Sequence, residues 1–229
     1  MKNILVVGGS SGIGLAMVEA LANSCQVIVA SRTAEALQGI DVQHIPFDAT
    51  SDSLDASALP QLDGVVYCPG SINLRPFKGL KPDTFREDFE INVMGAVKVL
   101  QTLEKNLKAS ATASVVLFST VAVQTGMPFH ASVAAAKGAL EGLTRSLAAE
   151  WAPQIRVNCI APSLVNTPLA DKFLNNEAKV AKASERHPMQ RVGSPQEIAE
   201  LALYLLHDNS RWMTGQVLTI DGGIGVLKT

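Results

Sequence analysis

Only three cysteines occur in the 229 residues, Cys25, Cys68 and Cys159, far apart and with no C-x-x-C pair. An odd, dispersed set excludes a disulfide framework, offers no thiolate cluster for zinc, and fits a reducing, cytoplasmic setting. Charge is also scarce: 19 basic and 21 acidic residues give a net charge of -2. Without a basic stripe to neutralise a run of phosphates, nucleic acid is excluded as a partner. Long hydrophobic runs are missing too. The opening "MKNILVVGGSSGIG" meets glycine straight after Val7, too early for a signal peptide or a membrane span, so no membrane association is expected. The histidines His44, His130, His187 and His207 are scattered without metal-ligand spacing, and no metal is expected.

What the chain does have is apolar residues, 47% of the total, with Gly and Pro spread throughout. That composition suits a large interior, and the length suits one domain over residues 1–229. Short apolar runs, "NILVV", "QVIVA", "DVQHIPF", "DGVVYC", "SVVLFS", "IRVNCIA" and "GQVLTI", read as buried strands. Helical periodicity falls between them, over 12–23, briefly over 33–38, then 81–107, 130–151 and 195–206. This alternation predicts an α/β fold: a single Rossmann-type, doubly wound parallel sheet of about seven strands with helices on both faces. Ser194, Pro195 and Glu197 have the spacing of a capping box and fix one helix start. The irregular stretch 163–191 follows a strand's carboxyl end, where a substrate lid is expected.

In "ILVVGGSSGIG", Gly8, Gly12 and Gly14 form a G-x-x-x-G-x-G turn between the first strand and the first helix, enclosing Ser10, Ser11 and Ile13. Glycines there let the backbone approach a pyrophosphate, whose charge meets the free N–H groups and positive end of the helix dipole. The serines add hydroxyl donors. The second strand ends in Ser31 and Arg32 rather than an acid, which favours the 2'-phosphate of NADP(H) over the free ribose of NAD. Asp48, with Ala49 beside it, can accept from the adenine amino group.

The glycine loop, "CPG" at Cys68 to Gly70, "INVMGAVKV" around Asn92, "FST" and "AAAKGALEGLTRSLAAEWAPQIRVNCIAPSLVNTPL" occur in that order, followed by "PMQRVGSPQEIAELALYLLHDNSRWMTGQVLTIDGG". Together they resemble the short-chain dehydrogenase/reductase family over essentially the whole length, in particular its 3-oxoacyl-acyl-carrier-protein reductase branch. The resemblance implies a catalytic tyrosine four residues before a lysine, a serine thirteen residues before that tyrosine, and an asparagine supporting a relay water. Lys137 matches the lysine and Asn92 the asparagine, while the serine falls on Thr120, with Ser119 beside it. The tyrosine falls on Val133, which can neither donate, accept nor titrate. The family's "NNAG" reads "YCPG" here. Cofactor positions survive: Lys137 for the nicotinamide ribose, and Pro162, Val165 and Thr167 in "APSLVNT" for the carboxamide and pyrophosphate.

His130 lies seven residues before Lys137, two helical turns away, the spacing of the tyrosine in the related enoyl-reductase branch. An imidazole can protonate an alkoxide or enolate and is the candidate replacement donor. Tyr67 is a weaker one, with a side chain that can instead point into the sheet–helix layer. The expectation is an NADPH-dependent oxidoreductase acting on a carbonyl, an alcohol or a conjugated alkene of apolar character. The alternative is a catalytically silent NADPH sensor or oligomer subunit. The resemblance also implies a homo-oligomer, tetramer or dimer, with small residues such as Ala135, Gly138 and Gly142 at a helix interface.

Overall fold

The computed structural model describes residues 1–228; Thr229, the last residue of the expected domain, lies outside them. Its strands are β1 (Lys2–Val7), β2 (Cys25–Ser31), β3 (Gln43–Pro46), β4 (Gly64–Tyr67), β5 (Ala113–Phe118), β6 (Ile155–Pro162) and β7 (Val217–Ile220). They form one sheet in the order β3-β2-β1-β4-β5-β6-β7, parallel at every pairing. The expected doubly wound architecture is therefore present, and each strand overlaps the apolar run that marked it.

The helices are α1 (Gly12–Leu21), α2 (Pro82–Phe89), α3 (Gly95–Lys108), α4 (Ala122–Thr125), α5 (Ala131–Trp151), α6 (Asp171–Leu174), α7 (Glu177–Glu185) and α8 (Pro195–Leu206). Alternate strand residues face opposite helix layers. Ile4, Val6, Val66 and Val116 pack with Met17 and Val18 of α1 and Ile198 and Ala202 of α8. Leu5, Val7, Val65, Val115 and Leu117 pack with Leu100 and Leu103 of α3 and Leu140 of α5. Because both faces are covered, the strands read as continuous apolar runs rather than alternating ones. The strand order reverses between β1 and β4, and the loops leaving their carboxyl ends diverge into a crevice.

Three segments differ from the sequence reading. The helix expected over 81–107 is interrupted by a π turn at Glu90–Met94 between α2 and α3. The cause is Tyr67: its hydroxyl donates to the Ile91 carbonyl at 2.7 Å, while the Gly95 N–H reaches back five residues to Glu90. Gly95 makes this insertion possible, since a Cβ there would overlap the Tyr67 hydroxyl. The stretch 163–191 is more regular than expected and holds α6 and α7, the latter started by Asn176, whose side chain accepts from the Lys179 N–H. The short helix near Thr33 is a single 3-10 turn, Glu35–Leu37.

Both ends of α8 are fixed by side chains. At its start the expected capping box is complete, with Ser194 accepting from the Glu197 N–H and Glu197 accepting from the Ser194 N–H. Arg191 pairs with both Glu197 carboxylate oxygens, and this bonding holds the Glu197 pKa down at about 2. At the other end the buried Arg156 guanidinium of β6 donates to the carbonyls of Leu205 and Ser210, placing a cation at the negative end of the helix dipole.

Candidate active site

The crevice holds two cavities of about 410 and 450 Å³ that share Ile13, Cys68, Gly70, Thr167 and Leu169 on their walls. The smaller one lies over the glycine turn. Gly8 and Gly12 have φ of +76° and +53°, and a Cβ on Gly14 would overlap the Gly8 carbonyl oxygen, so the α1 N-terminus can pack against the turn only with glycine there. Its wall carries Gly8, Ser10, Ser11, Gly12, Ile13, Gly14, Ser31, Arg32, Asp48, Ala49, Cys68 and Gly70, thus gathering most of the residues expected to hold a nucleotide. Ser11 is the α1 N-cap residue and its side chain caps nothing, which leaves the hydroxyl available. The Arg32 side chain is exposed at the rim. Asp48 accepts from the Thr50 hydroxyl at 2.6 Å and N–H at 2.9 Å, and these bonds hold its pKa below the usual carboxylate range.

The larger cavity lies beyond the ends of β4, β5 and β6. Thr120, Ser119, His130, Val133, Lys137, Pro162, Val165 and Thr167 all reach its wall. Lys137 is buried, and its ammonium donates to the Phe118 carbonyl at 2.7 Å. Burial lowers its pKa to about 8, against the partial opposition of nearby Cys159, Cys68 and Asp88. Val133, one turn earlier on α5, is 5% exposed and presents only methyl groups. The two adjacent hydroxyls are not equivalent. Ser119 donates to the buried Glu141 carboxylate at 2.7 Å, whereas the Thr120 oxygen accepts from the Ala122 N–H at 3.3 Å and keeps its own proton free.

His130 is the residue before α5, half-buried, with Nδ1 2.8 Å from the Pro128 carbonyl. Because a carbonyl only accepts, Nδ1 carries the hydrogen and Nε2 is the free atom. The preceding Phe129 has φ of +72°, an uncommon backbone state that sets the entry into α5. Tyr67 is 1% exposed in the sheet–helix layer and takes no part in the cavity; burial pushes its phenol pKa well up. Burial likewise pushes the Cys68 and Cys159 thiols up to about 12.

Asn92 lies on neither cavity wall. It is fully buried in the π turn behind Gly70, where its Nδ2 donates to the Ser71 hydroxyl at 2.9 Å and to the Asp88 carbonyl at 2.7 Å. Ser71 in turn donates to the buried Asp88 carboxylate at 2.5 Å, which also accepts from Asn73 at 2.7 Å. One Asp88 oxygen and the Asn92 carbonyl oxygen have no partner. Ser71 and Asp88 escaped the sequence reading because neither sits in a patterned position; only the π turn brings them beside Asn92. His187 carries no spacing signal in the sequence either. It is buried on the larger cavity's wall, donating from Nδ1 to Ala183 at 2.7 Å and accepting at Nε2 from Ser163 at 2.8 Å.

Among the described residues no cluster of side chains could hold a metal ion, and no helix is long and apolar enough to cross a membrane. A family model described as enoyl-(acyl carrier protein) reductase matches residues 7–225. A tropinone reductase homologue of Arabidopsis thaliana is 32% identical over 244 residues, covering 98% of this chain and 92% of its own. The crystal structure of a short chain dehydrogenase family protein from Francisella tularensis superposes with a TM-score of 0.90 at 29% identity, covering 99% of this chain and 100% of that one. A putative NAD(P) dependent gluconate 5-dehydrogenase from Beutenbergia cavernae, with bound NADP, gives a TM-score of 0.89 at 26% identity over 97% and 96% of the two chains. The chain belongs to the short-chain dehydrogenase/reductase family, a family of oxidoreductases that bind a nicotinamide cofactor.

Proposed function

We propose that this protein is an NADPH-dependent reductase or dehydrogenase that works without the family tyrosine, acting on a carbonyl, an alcohol or a conjugated alkene. The observation that carries the reading is the junction of the two cavities at Ile13, Cys68, Gly70, Thr167 and Leu169. One half suits a dinucleotide, with the glycine turn at the α1 N-terminus and Arg32 for a 2'-phosphate; the other has a largely apolar wall with Lys137 on it. Thr167 stands over Gly12, with its Cβ 3.3 Å from where a Cβ on that glycine would be, and so spans both halves. NADP, present in the Beutenbergia cavernae neighbour, fits this donor set, and a bound nicotinamide supplies hydride.

The chain's own groups then bind, polarise and protonate. Thr120 donates its free hydroxyl proton to the substrate oxygen, while Ser119 is engaged by Glu141. Lys137 binds the ribose and keeps an ammonium proton that burial has made easier to release. His130 offers Nε2 at the same wall, takes a proton there from solvent while Nδ1–H stays on the Pro128 carbonyl, and passes it to the substrate in place of the phenol that Val133 lacks. Asn92 acts from behind Gly70 as a positioning residue, aligning Ser71 and Asp88. The segment 163–191 serves as the lid, and the three free thiols support a cytoplasmic location. Ala135, Gly138 and Gly142 lie on the half-exposed to exposed side of α5, the face available to a second subunit.

Fluorescence titration with NADPH and NADH, combined with turnover on a panel of ketones and enones, tests the proposal. NADPH binds more tightly than NADH, Arg32→Ala removes about tenfold of that preference, and His130→Ala lowers turnover without altering NADPH affinity. Tight NADPH binding with no turnover across the panel overturns the enzymatic reading; equal NADPH affinity in Arg32→Ala overturns the 2'-phosphate assignment.

A further inference from the structure

The wall of the larger cavity carries Lys137, Lys172, Lys179, Lys182 and Arg186, and not one aspartate or glutamate. That imbalance is opposite in sign to the chain, whose net charge is -2 with 21 carboxylates available. Four of the five cations come from the segment over the cavity. Lys172 and Lys179 are tied to neutral oxygens: Lys172 donates to the Ile72 carbonyl at 2.5 Å, and Lys179 to the Lys172 carbonyl and the Asn175 side chain at 2.9 and 2.8 Å. Lys182 of α7 and Arg186, its C-cap residue still in helical conformation, are exposed and four residues apart, and so lie one above the other along one face. Among the described residues neither is ion-paired to a carboxylate. Much of the rest of the wall is apolar, with Leu164, Leu169, Phe173 and Met127 on it.

Like charges gathered without counterions repel one another, and a concave apolar wall focuses their field on whatever enters. An arginine and a lysine one turn apart match an oxyanion, which the guanidinium can bind through two parallel N–H groups. We infer that the substrate is an amphipathic anion: an apolar body lying along the lid, its reacting carbon toward Lys137, and a carboxylate or phosphate held by Lys182 and Arg186 at the mouth. This substrate class deepens the reading under Proposed function and rests on it.

Octanoate and octanamide serve as probes that share an apolar body and differ in charge, titrated calorimetrically into the NADPH-saturated protein. Octanoate binds about tenfold or more tightly than octanamide, since a hydrogen bond to a charged group is worth roughly one such factor. The Lys182→Gln/Arg186→Gln double variant abolishes this difference, and octyl phosphate behaves as octanoate does if the site reads charge alone. Both side chains are exposed, so NADPH affinity stays as in the parent protein and reports that the variant is folded. Equal affinity for the two probes, binding of neither, or a preference that survives the double substitution overturns the inference. Failure to bind NADPH instead overturns the oxidoreductase reading, and the same probe pair on the cofactor-free protein still reads the anion preference.

Discussion

Val133 shows how much one side chain can subtract while leaving its neighbours in place. It sits on the cavity wall one helical turn from Lys137, 5% exposed and bounded by the cavity on one side. A phenol at that position projects into open space rather than into packed core, so Val133→Tyr is accommodated without the strain of an overpacked interior. It restores a titratable hydroxyl beside an ammonium that lowers phenol pKa values. General acid catalysis is worth about 10²- to 10⁴-fold; turnover of a reducible ketone therefore rises by about 10²-fold in this variant, with NADPH affinity unchanged. Steady-state kinetics beside a cofactor titration checks both halves. An unchanged kcat means the proton already arrives by a route that a tyrosine cannot improve.

At the scale of elements, the π turn between α2 and α3 is the least ordinary feature, and it depends on two residues in different parts of the sheet–helix layer. Tyr67 takes the Ile91 carbonyl, and Gly95 leaves room for the phenol. Gly95→Ala puts a Cβ into the Tyr67 hydroxyl and 2.9 Å from the Ala49 carbonyl. The substitution destabilises by about 1–3 kcal/mol despite alanine's better helix propensity, lowering Tm by about 2–4 °C per kcal/mol in a chain of this size. Adding Tyr67→Phe recovers part of the loss, because the nearer of the two clashing oxygens is gone while the Ala49 carbonyl remains; a double-mutant cycle by thermal denaturation measures the coupling. The same turn carries Asn92 and sets Asp88 against Ser71, so Gly95→Ala also disturbs the network behind Gly70.

For the molecule as a whole, a buried lysine makes stability depend on pH. Lys137 titrates near 8 when folded and near its ordinary value of 10.5 when unfolded. Between these values the unfolded chain binds more protons than the folded one, so the Lys137 contribution to stability rises as pH increases from about 8 to 10.5. Below pH 8 both states are protonated and the cost of the buried charge is carried in full. Lys137→Met removes it. The variant is more stable than the parent at pH 7, by about 1–3 kcal/mol, and the gap closes toward pH 10. Denaturant unfolding at several pH values checks the sign, and a constant gap disproves it. A lysine that costs stability at neutral pH yet lines the cavity is consistent with the cofactor-binding role proposed for it.

The seven strands, the glycine turn and the capping box of α8 were legible in the sequence because each is local: apolar runs of strand length, a Gly spacing between a strand and a helix, and a serine three residues before a glutamate. The missing phenol was legible for the same reason, as a position counted along one helix. What only the tertiary structure decided depends on contacts between distant segments. It made Ser119 and Thr120 inequivalent, because Glu141 reaches one hydroxyl and not the other. It turned the Tyr67 hydroxyl onto the Ile91 carbonyl of the π turn rather than onto a cavity wall. It also collected Lys172, Lys179, Lys182 and Arg186 over Lys137, cations unremarkable in a mixed polar stretch until α6 and α7 fold across the crevice. Periodicity along a chain records which face of an element is buried; it holds no record of which charges from separate elements will share one cavity.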